Sequence, residues 1–179
     1  MPRVVGIPVA ADGPDIEALE RALAKQVPKF FYVIPDFQNP AGSTCSGVKR
    51  RRIAELATRY GFLVVEDAPY RLLRYRGREE PTIRELIPER TLHMSSFTKL
   101  IAPGIRTGFI VGPPEIIAKL AKVAEDTYIS PGYSRARHHL RVVPPWAAPA
   151  ADRASESALL AQARRRASPG SIGTCPRRR

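Results

Sequence analysis

Ser95-Ser96-Phe97-Thr98-Lys99, followed by Pro103-Gly104-Ile105-Arg106-Thr107-Gly108, is the stretch from which the rest of the chain is read. A lysine follows small hydroxyl residues, and seven positions later an arginine stands behind a Pro-Gly turn. Hydroxyls and a guanidinium fork suit a phosphate group, and a lysine amine beside them suits covalent bonding to an aldehyde. A lone lysine is usually a solvated surface residue, so the weight lies in the combination.

Two more segments precede it in order. Pro35-Asp36-Phe37-Gln38-Asn39-Pro40-Ala41-Gly42 follows the apolar run Phe30–Ile34, and Glu66-Asp67-Ala68-Pro69-Tyr70 follows Phe62–Val65. Both put polar residues just past a short run rich in β-branched and aromatic residues. In an α/β sheet that is where ligands bind, outside the carboxyl ends of the strands. Phosphate donors and an amine-bearing lysine together describe a seat for pyridoxal 5′-phosphate (PLP).

At this point the chain resembles the class I/II aminotransferases of PLP fold type I. The likeness is to the branch of 2-aminoadipate and broad-specificity aromatic or branched-chain enzymes, and it covers about residues 3–133. The PLP-binding effector domains of MocR-type transcription regulators share these segments and form the alternative reading. The resemblance implies an α/β fold: a partial large domain of the aspartate aminotransferase-like type, with a mostly parallel sheet and helical crossovers. It implies transfer of an amino group from an amino acid to a 2-oxo acid, and a homodimer for full-length members.

Carried onto the matching positions, the resemblance makes Lys99 the covalent anchor and the group that moves protons during the reaction. Asp67 would sit against the pyridine nitrogen, because a carboxylate there favours the protonated ring. Glu66 is an acid at the same strand end, and the family pattern selects the second of the pair. Asn39 and Tyr70 would hydrogen-bond the ring oxygen, although an Asn-Pro pair also suits a turn and a tyrosine also suits a core. Ser96, Thr98 and Arg106 would hold the phosphate. Serine is the commoner residue at the position of Thr98, whose hydroxyl keeps the bond. The three histidines have no metal spacing, and His93 reads as a packed strand residue.

Strands are expected at Val4–Val9, Phe30–Ile34, Phe62–Val65, Thr91–Met94 and Gly108–Val111. Helices are expected at Asp15–Lys25, Lys49–Tyr60 and Glu115–Asp126, with Gly61 as a C-terminal stop. Alternation of this kind predicts parallel strands joined by helices. Gly104 and Gly108 are expected to serve backbone geometry, and Gly42, Gly61 and Gly77 to form turns.

The bulk numbers exclude some classes. No run of about 18 apolar residues exists, which argues against a membrane span. Two cysteines, Cys45 and Cys175, give neither a disulfide framework nor a metal motif, and a reducing cytoplasmic setting fits. The net charge of +12 suggests nucleic acid, but its distribution does not. Residues 1–133 hold 19 Lys and Arg against 15 Asp and Glu, while residues 134–179 hold 10 Arg, no Lys and 2 acids. The tail is rich in Arg, Ala and Pro, with one aromatic, Trp146, and no recognition motif. It reads as an out-of-frame or disordered basic segment. Residues 1–133 are then expected to be a piece of an enzyme cut at both ends and inactive alone.

Overall fold

Asp15 opens the first long helix as an N-cap, its carboxylate accepting from the Ala18 amide at 3.0 Å. That helix, α1, runs Ile16–Lys25 and buries Leu19 and Leu23, four apart on one face. Ser46 caps α2, Gly47–Tyr60, in the same way. Gly61 ends α2 in the left-handed region at φ +80, where a side chain would be strained. The structure is a computed structural model that describes residues 3–128; the expectations for the tail, 134–179, lie outside the described residues.

Before α1, Val9–Ala10 (β1) and Gly13–Pro14 (β2) pair as a small antiparallel hairpin. The main sheet has four strands: β3 (Phe30–Val33), β4 (Leu63–Asp67), β5 (Thr91–Ser96) and β6 (Gly108–Val111), in that spatial order. Strands β3, β4 and β5 are parallel, and β6 is antiparallel to β5. A parallel return needs a crossover of a dozen or more residues. The connection from β5 to β6 is shorter, and it is filled by the four-residue helix α4 (Phe97–Leu100) and a 3₁₀ turn at Pro103–Ile105. Between β4 and β5 lie a 3₁₀ turn at Arg71–Leu73, the short helix α3 (Ile83–Leu86) and a further turn at Pro88–Arg90. The last helix, α5, is Pro114–Tyr128.

The expected strand Val4–Val9 is corrected. Residues 4–8 form no strand, and Val4 is 87% exposed. A strand needs a ladder partner along its length; residues 4–8 pair with no strand among the described residues, and the Pro8 carbonyl accepts from the Asp15 amide at 2.8 Å beside the hairpin.

Strand residues alternate between two faces. Val33, Val64 and Thr91 are buried beneath α1, α2 and α3, where Leu19, Ile53, Leu56 and Ile83 complete the core. Ile53 is fully buried, so its truncation to alanine costs about 2–5 kcal/mol. The opposite face carries Phe30, Tyr32, Val65, Asp67, Met94 and Ser96, by the strand register. Among the described residues no helix is long and apolar enough to cross a membrane.

Candidate functional site

The carboxyl ends of β3, β4 and β5 lie side by side, and each opens into one of the three segments singled out in the sequence. Strand β5 runs directly into α4. Ser96 is both the last residue of the strand and the N-cap of the helix, and its Oγ accepts from the Thr98 amide at 3.2 Å. The Phe97 amide donates to the Thr107 carbonyl at 3.0 Å, which folds the two halves of the segment together. Lys99 follows in α4, three residues past the sheet.

Pro69, Ser96, Thr98, Lys99, Arg106, Thr107 and Gly108 line one open cavity of about 350 Å³. Its wall holds two cationic side chains, three hydroxyls and no carboxylate. A wall of that composition favours an anion with several acceptor oxygens. Arg106 stands in the left-handed region at φ +51, an uncommon conformation for a residue with a Cβ. Gly108 is required by close approach: a Cβ there would lie 2.6 Å from the Ser95 carbonyl oxygen. Gly104 meets nothing within 4 Å and has no positive φ, so the expected backbone role falls to Arg106 and Gly108. Gly42, Gly61 and Gly77 all adopt positive φ.

Tyr70 precedes the 3₁₀ turn Arg71–Leu73, and the Lys99 ammonium lies 5.9 Å from its ring centroid. Asp67 ends β4, half-buried, and its Oδ2 accepts from the Tyr32 hydroxyl at 2.6 Å. Tyr32 is opposite Val65 in the parallel ladder, so Asp67 is its diagonal neighbour on the same face, within reach of a long aromatic side chain. Burial first, then the bond to Asp67, push the Tyr32 phenol up to about 12. Sequence reasoning missed Tyr32. The available signal was a tyrosine on the same strand face as the acid that ends the neighbouring strand.

Glu66 does not share this position. It is fully buried on the other face, where it accepts from the Ile83 amide at 2.7 Å, the Arg84 amide at 3.3 Å and His93 Nδ1 at 2.8 Å. It closes the N-terminus of α3 and fixes His93, the packed strand histidine.

Asn39 lies in the loop after β3, exposed, with its side-chain amide making no hydrogen bond among the described residues. The peptide bond to Pro40 is cis. Among the described residues no hydrogen bond joins the Asn39 side chain to Asp67, Tyr70 or Lys99. The loop is held from beneath by Asp36, which is fully buried and paired with three arginines. Arg50 from α2 reaches its Oδ1 at 2.9 Å, Arg74 the same oxygen at 2.7 Å, and Arg71 its Oδ2 at 3.4 Å. Arg50 also donates to the carbonyls of Pro35 and Cys45. Burial opposes ionisation of Asp36, and the Arg50 hydrogen bond with the three positive charges outweighs it, so the carboxyl lies below its ordinary value.

With this geometry in place, residues 4–141 match the family described as aminotransferase class I and II. The chain belongs to the aminotransferase class I and II family. A relative within it is the 2-aminoadipate transaminase of Thermus thermophilus, 36% identical over 128 residues, which are 69% of this chain and 32% of that one. Aromatic-amino-acid aminotransferase 1 of Thermococcus litoralis is 41% identical over 126 residues, 66% of this chain and 30% of that one. Among solved structures, the Thermus thermophilus α-aminoadipate aminotransferase complexed with N-(5′-phosphopyridoxyl)-L-leucine superposes with a TM-score of 0.72. It is 33% identical, and the match covers 75% of this chain and 36% of that one. The chain thus spans about a third of the length of these aminotransferases. The mixed, mostly parallel sheet is the α/β arrangement expected from the sequence.

Proposed function

We propose that this chain carries the cofactor-anchoring part of a PLP-dependent aminotransferase, which transfers an amino group from an amino acid to a 2-oxo acid. The observation that carries the reading is the cavity around Lys99, with Arg106 and the hydroxyls of Ser96 and Thr98 and no acid in its wall. That donor set fits a phosphate ester beside an amine, which is the pairing PLP requires.

PLP, when bound, supplies an aldehyde carbon that bonds amines and a pyridine ring that withdraws electrons. The residues supply the rest. Ser96, Thr98 and Arg106 hold the phosphate as hydrogen-bond donors. Lys99 anchors the cofactor through Nζ, and the same nitrogen accepts and returns the substrate proton. Asp67 would hold the ring nitrogen and favour its protonated form by charge. Asn39 and Tyr70 would donate to the ring oxygen. A homodimer in the reducing cytoplasm completes the reading, and the free, buried Cys45 is compatible with it.

The test is chemical. Purified protein is loaded with PLP and reduced with borohydride, and the labelled peptide is mapped. The label is expected on Lys99, with excess inorganic phosphate suppressing it. A label spread over surface lysines, or insensitive to phosphate, would defeat the reading.

A further inference from the structure

Asp67 has two carboxylate oxygens, and among the described residues only one is engaged. Oδ2 accepts from the Tyr32 hydroxyl at 2.6 Å, and Oδ1 makes no hydrogen bond among the described residues. Tyr32 comes from β3, a different strand, 35 residues earlier in the chain. We propose that Tyr32 is a positioning residue that locks the Asp67 carboxylate in one rotamer and leaves Oδ1 free to meet the cofactor's ring nitrogen. The inference rests on the reading of Asp67 as the group facing that nitrogen.

Four features support it. The bond is short and charge-assisted, in the range of the strongest O–H···O⁻ contacts. The phenol stays a donor across the working range, since burial and the carboxylate push it up to about 12. A carboxylate at a strand end with one side held and one side open is preorganised, so little ordering remains for the ligand to impose. Tyr32 is also 48% exposed, so packing alone does not account for its place. Neither Glu66 nor His93 can substitute, because both lie on the opposite face.

The test compares the 179-residue protein with Tyr32→Phe, Asp67→Asn and the double variant. Each is checked for folding by circular dichroism and titrated with PLP, following its visible absorbance. Tyr32→Phe is expected to weaken PLP binding roughly ten-fold, the scale of a lost hydrogen bond to a charged group, and to alter the bound spectrum. The double variant should bind no worse than Asp67→Asn alone, because Tyr32 acts through Asp67. A second readout needs no cofactor. The phenolate absorbance difference between wild type and Tyr32→Phe isolates the titration of Tyr32, and in the Asp67→Asn background it should move to lower pH. Unchanged affinity and spectrum in Tyr32→Phe, with Asp67→Asn impaired, overturns the inference and leaves the reading of Asp67 standing. Additive losses in the double variant overturn it too. Asp67→Asn binding PLP as wild type does would bring down both.

Discussion

Glu66 and Asp67 are neighbours in the chain whose carboxylates serve opposite faces of the same sheet. Glu66 is buried against His93 and the N-terminus of α3, and Asp67 is bonded to Tyr32 on the other face. Substitution at the two positions should therefore fail in different ways. Glu66→Ala leaves His93 and two backbone amides without their partner and should cost about 3 kcal/mol in denaturant unfolding. Asp67→Asn should stay within about 1 kcal/mol of wild-type stability while losing PLP affinity or, in an active assembly, turnover. A stability loss at Asp67 as large as that at Glu66 would contradict the division.

Lys99→Ala should abolish borohydride-dependent labelling and keep part of the non-covalent PLP binding, because Ser96, Thr98 and Arg106 remain. Peptide mass mapping decides it. Persistent stoichiometric label on Lys49 or Lys119 would rule out Lys99 as the anchor.

Asp36 predicts a pH dependence. Its folded carboxyl lies below the ordinary value, so the unfolded state binds the proton more readily. The stability it contributes is then fully present above the ordinary carboxylate range of about 4 and is lost as pH falls through the lower folded value. Urea unfolding between about pH 7 and pH 3 should show that slope, and Asp36→Asn should flatten it. The same variant leaves three guanidiniums around a neutral group and should lose about 3–5 kcal/mol at neutral pH.

Gly108→Ala places a methyl group against the Ser95 carbonyl and must push β6 away from β5. The expected cost is about 1–3 kcal/mol of stability. PLP affinity should fall alongside it, because Gly108 and Ser96 pair across the ladder and both line the cavity. Wild-type melting and binding in this variant would show that the sheet relaxes there without consequence.

Much of the fold was legible in the sequence because local chemistry and global structure agree. Asp15 and Gly61 mark helix ends that α1 and α2 obey, and the four apolar runs from Phe30 onward become the main sheet. Val4–Val9 has the composition of a strand, but only Val9 pairs, with Pro14 in the hairpin, and residues 4–8 join no strand among the described residues; pairing is a property that composition does not carry. The antiparallel direction of β6 follows from the length of the 97–107 connection, a measure the α/β alternation pattern ignores. At the site, Ser96, Thr98, Lys99 and Arg106 are close in sequence and were found together. Tyr32 meets Asp67 only through the register of two strands, and Asp36 meets its arginines from α2 and the 71–74 turn, so neither was visible one segment at a time.

The Asp36 cluster ties two loops to one another. It fastens the segment bearing Asn39 to the turn that begins beside Tyr70, and through Arg50 it fastens both to α2. A single carboxylate therefore acts as the shared hinge pin of two loops whose tips carry separate candidate donors. Displacement of either loop is transmitted to the other, and a change at Arg50, inside the core and away from the open cavity, will be felt at both tips at once.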